Sequence, residues 1–116
     1  MVRYRIEPYR GKPGFVSISA GRFTVIVTSE VAQRFEELVK RARPRGWWQL
    51  RLLLELAETR RVKAKAAYWV GGRAVAYAGS YQRSLDAIME RAGARYVPGP
   101  RGGEWSAYYE LVGDGE

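Results

Sequence analysis

Cationic and aromatic side chains alternate along one segment of the chain, residues 61–70. Arg61, Lys63 and Lys65 occupy every second position, and Trp69 continues the same series. If this segment is a β-strand, these side chains share one face, because successive residues point to opposite sides of a strand. Cations that contact phosphates beside a ring on which a base can stack are the components of a single-strand nucleic-acid site. The alternative is that Trp69 covers the hydrophobic core and the cations form a solvated strand end.

Two further segments combine arginine with aromatic residues. A basic segment, Arg43-Pro44-Arg45, precedes the pair Trp47-Trp48, which could add a stacking ring at the rim of a cleft or pack into the core at a helix start. Tyr108 and Tyr109 must face opposite sides of a strand, so at most one belongs to the core and the other can contact a partner. The candidate nucleic-acid-binding residues are Arg3, Arg5, Arg43, Arg45, Trp47, Trp48, Arg61, Lys63, Lys65, Trp69, Arg73 and Tyr108.

The charge distribution separates a basic body from an acidic end. The chain holds 20 Lys plus Arg against 12 Asp plus Glu, a formal net charge of +8, and 16 of the 20 cations are arginine. Residues 38–54 and 59–85 contain no acidic residue, whereas every charged residue after Arg101 is acidic. Guanidinium groups bind phosphate through paired N–H donors and also stack on rings. A polyanion is therefore the first expected partner.

The residue types that are missing exclude most catalytic chemistry. The chain contains no His and no Cys, which rules out Cys/His zinc sites, thiol nucleophiles, disulfides and His-based triads. Two carboxylate pairs at helical spacing, Glu55 with Glu58 and Asp86 with Glu90, could hold Mg²⁺ for a nuclease. Arginines near each pair can neutralise these acids, and no phosphate-binding P-loop motif is present. We therefore expect no catalytic activity, no cofactor and no bound metal.

The β-strands are predicted mainly as hairpins. Alternation marks a first strand over Val2–Tyr9, and the two-residue turn Gly21-Arg22 joins Phe15–Ala20 to Phe23–Thr28. A second hairpin joins Arg61–Val70 to Arg73–Ala78 through Gly71-Gly72, and closing strands are expected at Arg95–Val97 and Trp105–Val112. The predicted core face of the second hairpin carries Val62, Ala64, Ala66, Tyr68 and Val70 on one strand, with Arg73, Val75 and Tyr77 opposite.

Three helices complete the predicted fold. They span Ser29, as N-cap, to about Ala42; Trp47 to Glu58; and a third helix that Ser80 or Ser84 caps and Gly93 ends. The second is apolar over most of its circumference, so it is either central in the fold or covered by a second subunit. The order β-β-β-α-α-β-β-α-β-β defines an α+β fold class, an antiparallel sheet built from hairpins and packed on about three helices. We expect a single domain at 1–112 and a short acidic tail at 113–116.

Two features indicate the cellular setting. The most apolar stretch, Trp47–Ala57, is far shorter than the roughly 20 residues of a membrane span. Arg3, Arg5 and Glu7 interrupt the N-terminus where a secretory signal needs an unbroken apolar core, so we expect a cytoplasmic protein without a membrane partner. The absence of Asn and the presence of only three Gln are typical of thermophilic proteins, which avoid thermolabile amides.

A small, cysteine-free, Arg- and aromatic-rich α+β chain of thermophilic composition resembles the ThermoDBP-related archaeal single-stranded nucleic-acid-binding proteins. The resemblance is of composition and element order over positions 2–112, and it implies a domain with a basic, hydrophobic cleft. The longest members of that family add a C-terminal leucine-zipper helix, which Gly113–Glu116 does not match. A homodimer would instead use the apolar helix near Trp47–Leu56. The hairpin and helix of Gly21–Ala42 also resemble single-stranded DNA binders of the PUR type.

The sequence thus predicts non-catalytic, sequence-tolerant binding of single-stranded DNA or RNA through a basic and aromatic sheet face or cleft. It does not distinguish DNA from RNA, because contact with a 2′-hydroxyl leaves no signature in it. The alternative is a protein-interaction or oligomeric assembly module that uses the apolar helix near Trp47–Leu56, with the charge serving solubility.

Replacing Trp69 by Ala tests the two roles considered for that residue. A stacking ring on an open face predicts a loss of about 1–3 kcal/mol in single-strand binding with little change in stability. A core ring predicts a loss of about 3–5 kcal/mol in folding free energy, because a large aromatic leaves a cavity. Oligonucleotide titration and denaturant unfolding of the same protein measure both quantities. Near-normal binding by Trp69→Phe, beside weak binding by Trp69→Ala, is the result that stacking requires.

Overall fold

The computed structural model describes residues 2–76 and 79–112, so the predictions for Tyr77, Ala78 and the tail at 113–116 lie outside the described residues. The fold is α+β, with antiparallel strands and three helices in the predicted order. The elements are β1 (Arg5–Pro8), β2 (Phe15–Ala20), β3 (Phe23–Thr28), α1 (Ser29–Ala42), α2 (Trp47–Thr59), β4 (Arg61–Lys63), β5 (Ala67–Val70), β6 (Arg73–Ala76), α3 (Gly79–Ala92), β7 (Arg95–Val97) and β8 (Tyr108–Glu110).

The first sheet consists of β1, β2 and β3, which pair in chain order. β2 and β3 have the predicted register over all their residues, and the pair Ala20–Phe23 closes the hairpin. Gly21 has a φ of 53°, a left-handed conformation that glycine adopts without a steric penalty. Ile18 and Val27 are buried against the helices. Within the described residues β3 pairs with β2 alone, so its other edge is open.

The N-cap of α1 is Thr28 and not the predicted Ser29. The Oγ1 atom of Thr28 accepts a hydrogen bond from the Val31 N–H (3.2 Å), and the Thr28 backbone is extended, as an N-cap requires. The hydroxyl of Ser29 instead donates to the Gly14 carbonyl (3.2 Å). Because β3 continues into α1 without a loop, the last strand residue supplies the cap.

The helices form one hydrophobic core beneath the first sheet, and α2 packs against both of its companions. The fully buried large side chains include Phe35 and Leu38 of α1, Leu50, Leu53 and Leu56 of α2, and Ile88 and Met89 of α3. Each such side chain stabilises the fold by about 1.5–3 kcal/mol through removal from water. None of the described helices combines the length and the apolar character needed to cross a membrane.

Two arginines join the carboxyl ends of α1 and α3 reciprocally. Arg91 of α3 donates to the carbonyl of Ala42, the last residue of α1 (2.7 Å). Arg41 of α1 donates to the carbonyl of Ala92, the last residue of α3 (2.9 Å). The final carbonyls of a helix have no partner within the helix and carry the negative end of its dipole, so a cationic donor is favoured there. The two helices are thereby fixed at the same end.

A third arginine performs the same role for α2. Arg34 of α1 donates to the carbonyl of Ala57, in the last turn of α2 (2.6 Å), and forms an ion pair with Glu30 (3.3 Å). Its side chain is mostly buried, so this contact lies between packed helices. Arg34, Arg41 and Arg91 therefore contribute to the fold, and part of the arginine excess has a structural cause.

The predicted long strand 61–70 is divided into β4 and β5. Gln82 of α3 occupies the break, because its amide nitrogen donates to the Ala64 carbonyl (2.8 Å) and its amide oxygen accepts from the Ala66 N–H (2.8 Å). β4 pairs with β8, which also pairs with β7, whereas β5 pairs with β6 in the predicted register. The continuous basic and aromatic face predicted from Arg61 to Trp69 is therefore shared between two sheets.

The predicted core face of the second hairpin is correct only for its first part. Val62, Ala64 and Ala66 are buried, as expected. Val70 is 56% exposed and Val75 is also exposed, because the β5–β6 hairpin extends beyond the core that Gln82 borders. Alternation therefore identifies which residues share a face, but not how far the core reaches.

Replacing Arg91 by Met should lower the free energy of unfolding by about 1.5–3 kcal/mol, because the Ala42 carbonyl loses its charged donor while the aliphatic stem is retained. Urea unfolding measures the change. Arg83→Met, on an exposed position of the same helix, is the matched control and should alter stability by less than about 0.5 kcal/mol. Equal effects of the two substitutions would contradict a clamping role for Arg91.

Candidate nucleic-acid interface

The β4–β8–β7 sheet places part of the predicted site on one face, which we call the sheet patch: Arg61, Lys63, Arg95, Tyr108 and Glu110. Lys63 lies opposite Tyr108 across the β4–β8 pair, and the guanidinium of Arg61 is 4.6 Å from the Tyr108 ring centre. Glu110 lies between Arg61 and Arg95 and forms an ion pair with Arg95. The patch therefore combines three exposed cations with a half-buried ring, but Glu110 reduces its charge.

Tyr109 faces the opposite side of the same sheet, as the alternation predicts. Its hydroxyl donates to Asp86 Oδ1 of α3 (2.8 Å), and its ring meets the ring of Tyr96 edge to face at 5.6 Å. Burial raises the pKa of the Tyr109 phenol well above 10, and the hydrogen bond to Asp86 and the charge of that carboxylate raise it further. Tyr109 therefore joins β8 to α3, which leaves Tyr108 as the tyrosine available to a partner.

A second group of predicted residues meets at the N-terminus of α2, beside a cavity of about 340 Å³ that we call the entrance cavity. Its lining consists of Arg45, Gly46, Trp48, Gln49, Ser80, Tyr81 and Ser84. The rings of Trp48 and Tyr81 meet edge to face at 5.5 Å, and Tyr81 is 48% exposed. This cavity offers ring surface, hydroxyl groups and one exposed arginine at the surface of the molecule.

Gln49 holds the loop before α2 in place. Its amide oxygen accepts a hydrogen bond from the Arg45 backbone N–H (2.8 Å), and its amide nitrogen donates to the Ser84 hydroxyl of α3 (2.8 Å). Arg45 thus enters the cavity rim on a backbone tied to two helices, while its side chain is exposed. The hydrogen bonds of Gln49 therefore already order the backbone of Arg45, which lies beside the Trp48–Tyr81 pair.

Trp47, the first residue of α2, is 46% exposed. The Arg51 guanidinium carbon lies 6.0 Å from the centre of the Trp47 ring and 5.9 Å from the centre of the Phe23 ring. A cation near an aromatic face is attracted by the ring quadrupole. The structure therefore adds the ring of Phe23 in β3, which the sequence did not indicate, to those of Trp47, Trp48 and Tyr81.

On the far side of Trp48 a groove of about 390 Å³ separates α2 from β3. Phe23, Val25, Trp48 and Leu52 form its apolar lining, and Arg51, Leu54, Glu55 and Glu58 complete it. Burial raises the pKa of the Glu55 carboxyl, Arg51 opposes this shift, and the neighbouring charge of Glu58 adds to it. The groove is thus basic near Arg51 and acidic toward Glu58, which makes its acidic part unsuited to a phosphate backbone.

The other predicted residues lie apart from these groups. Arg3 and Arg5 are exposed at the first sheet, where Arg5 pairs with Glu7 (3.4 Å). Arg43 is exposed and ends α1 with a φ of 50°; a cation at the negative end of the helix offsets part of that strain, so Arg43 also has a structural explanation. Lys65 lies half-buried in the bend between β4 and β5, Trp69 lies in β5 opposite Ala74, and Arg73 begins β6.

Sequence reasoning missed Phe23, Arg51 and Tyr81 for different reasons. Arg51 follows Trp47 by four residues, so helical spacing alone would have placed it on the same face. Phe23 and Tyr81 belong to other elements and reach α2 only in the tertiary structure. No local pattern connects residues that lie more than twenty positions apart.

The described residues contain no group of three or more acidic side chains arranged to hold a metal ion. Asp86, considered above as half of a magnesium pair with Glu90, accepts hydrogen bonds from Tyr109 and from Gln82 (3.0 Å). Its carboxylate therefore has a structural role. Absence of catalysis remains a prediction.

Comparison of the chain with models of protein families, with curated proteins and with solved structures found no match. The resemblance to the ThermoDBP-related proteins therefore remains a hypothesis that rests on composition and element order.

The Tyr109 hydrogen bond predicts a dependence of stability on alkaline pH. The folded state keeps the phenol protonated above the pKa of 10.0 that an unperturbed tyrosine has, so above that pH the native state binds more protons than the unfolded state and stability falls. Tyr109→Phe removes this contribution. Urea unfolding from about pH 9 to about pH 11 should show a steeper loss for the natural protein than for the variant. Parallel curves would contradict the argument.

Proposed function

We propose that this protein binds single-stranded nucleic acid, without catalysis and with little sequence preference. The observation that carries the proposal is the group of residues at the start of α2. There an exposed tryptophan, Trp47, lies beside Arg51, and the entrance cavity brings Trp48 and Tyr81 together with Arg45. Aromatic rings on which bases stack, placed next to cations that contact phosphates, are the parts from which sequence-tolerant single-strand sites are built.

Exposure of the rings supports a role in binding. Trp47 and Tyr81 each expose about half of their surface, although burial of such a large ring would stabilise the fold. In a chain of net charge +8, rings left in solvent beside arginine favour a partner that is both aromatic and anionic. A single nucleic-acid strand has both properties, because its bases are unpaired and its phosphates are charged.

In this proposal, different residues contact the bases and the phosphates. The Trp47 ring offers its exposed surface to one base, and the rim of the entrance cavity, with Tyr81, offers a second contact. Arg45 contacts the phosphate between them, with Arg43 upstream adding to the local positive potential. The sheet patch, through Lys63, Arg61 and Tyr108, is a second place where a longer strand could be held. Variants of Trp47 and Arg45 test the start of α2, and a variant of Lys63 and Lys65 tests the sheet patch and the bend beside it.

Titration with labelled oligo-dT, oligo-U and a duplex of equal length, followed by fluorescence anisotropy at several salt concentrations, tests the proposal. Single strands should bind more tightly than duplex, because only their bases can stack on the rings. Affinity should fall with salt with a slope near 0.7 per neutralised phosphate. Absence of single-strand binding at low salt would refute the proposal, and comparison of dT with U determines the preference between DNA and RNA.

Variants locate the site. Trp47→Ala should weaken binding by about 1–3 kcal/mol, and Trp105→Ala, which removes an equally exposed ring (45%), should not. Arg45→Ala should reduce the salt slope by about 0.7, whereas Arg10→Ala, in the exposed turn before β2, should leave it unchanged. If the controls weaken binding as much as the site variants, the basic surface as a whole binds and the start of α2 is not a defined site.

The double variant Lys63→Ala with Lys65→Ala measures the contribution of the predicted basic strand. A reduction of the salt slope by up to about 1.4, alike for all sequences and without a lower melting temperature, would assign phosphate contacts to these lysines. An unchanged slope would restrict the site to the start of α2. A partner that binds with no salt dependence at all would favour the alternative of a protein-interaction module.

A further inference from the structure

The two edges of the first sheet differ in a way that bears on association. β1, at one edge, contains Arg5, Glu7 and Pro8, and both charged residues and proline are devices that prevent an edge from pairing. β3, at the other edge, reads Phe-Thr-Val-Ile-Val-Thr, with neither charge nor proline. Ile26 of this strand is 42% exposed. An open, uncharged strand rich in β-branched residues is a template for another strand.

The register of the first hairpin defines which backbone groups of β3 have no partner in the ladder among residues 2–76 and 79–112. The two-residue turn makes Ala20–Phe23 a hydrogen-bonded pair, and hydrogen-bonded pairs alternate with non-bonded pairs along an antiparallel ladder. Val25 therefore bonds to β2, whereas the N–H and C=O groups of Thr24 and Ile26 point to the open edge. Each of these two residues offers one donor and one acceptor to an incoming strand.

We propose that a second copy of this chain covers this edge, with the two β3 strands paired antiparallel about a two-fold axis at Val25. In this register Thr24 lies opposite Ile26 of the other copy, and every free donor faces an acceptor. Two first sheets then join into one continuous sheet across the dimer. A two-fold axis normal to the sheet keeps the groove-lining face of both copies on the same side, so the two α2 helices approach each other antiparallel.

Charge complementarity along the groove selects a second copy as the occupant. Arg51 lies near Phe23, at the start of β3, and Glu58 is seven residues further along α2, about 10 Å away. The two-fold axis reverses this order in the second copy. Arg51 of each chain is thereby brought toward Glu58 of the other, and the apolar lining of Val25 and Leu52 is covered. This inference does not depend on nucleic-acid binding.

Mass in solution provides the first test. Sedimentation velocity from micromolar to millimolar protein, without nucleic acid, should show a species of twice the 13.2 kDa of one chain. Ile26→Pro removes an N–H that points to the open edge and leaves the hydrogen bonds to β2 intact, and proline is tolerated at such positions of edge strands. The substitution should weaken the dimer roughly tenfold to hundredfold. Glu7→Lys, on the opposite edge, is the control and should leave the mass unchanged. A single chain at every concentration would overturn the proposal.

Cysteine substitution tests the register directly, because the chain has no cysteine of its own. At the two-fold axis the Val25 Cα atoms would lie about 4.5 Å apart, within the range that a disulfide bridges. Val25→Cys should therefore cross-link into a dimer under mild oxidation. Thr24→Cys should not cross-link. The two residues at position 24 are offset by two positions along the paired strands, so their Cα atoms lie more than about 7 Å apart. A dimer in which Val25→Cys fails to cross-link would overturn this interface.

A charge exchange tests the groove. Arg51→Glu should weaken the dimer, and adding Glu58→Arg should restore it, because the two ends of the groove then attract again with reversed sign. Circular dichroism and the unfolding midpoint confirm that each variant is folded. Equal dimer affinity for all three proteins would show that the α2 helices do not meet in this manner.

Discussion

Arg41 and Arg91 each reach from one helix to the last carbonyl of the other, and the rest of the domain depends on the position that this exchange gives to α1 and α3. With those ends joined, α2 packs against both helices, and Arg34 of α1 donates to a carbonyl in the last turn of α2. The first sheet covers the core they form. The last carbonyls of a helix have no partner within the helix. A cation at this end donates hydrogen bonds to them and interacts favourably with the helix dipole.

This arrangement divides the arginines into two groups with different physical roles. Arg34, Arg41 and Arg91 contact carbonyl oxygens at helix ends, where their charge is partnered by the negative end of the helix dipole. Arg45, Arg51 and Arg61 lie at the surface beside aromatic rings. A high arginine content is therefore weak evidence for an anionic partner by itself. The position of an arginine beside an exposed aromatic ring is stronger evidence, because packing of the fold does not require an exposed ring next to a cation.

α2 connects the core to both surfaces that we propose to be functional. Leu50, Leu53, Leu54 and Leu56 are buried, so the helix is held firmly. Its first turn presents Trp47 and Trp48 at a place where α3 and β3 approach. Trp48 separates the entrance cavity from the groove. Positive charge accompanies the cavity, and acidic residues enter the far part of the groove. The same helix can thus present one face to a polyanion and another to a second protein chain.

The sequence alone determined the local features: the Gly21-Arg22 hairpin and its register, the span of α1, the start of α2, and the opposite faces of Tyr108 and Tyr109. These depend on turn chemistry and on side-chain periods of two and 3.6 residues, which act over a few positions. The tertiary structure decided where the long strand 61–70 breaks, because Gln82 bonds to both sides of the break from another element. It also decided that β4 pairs with β8 and that Phe23 and Tyr81 join the tryptophans of α2. Such contacts depend on how the core packs, and no pattern within a single segment encodes them.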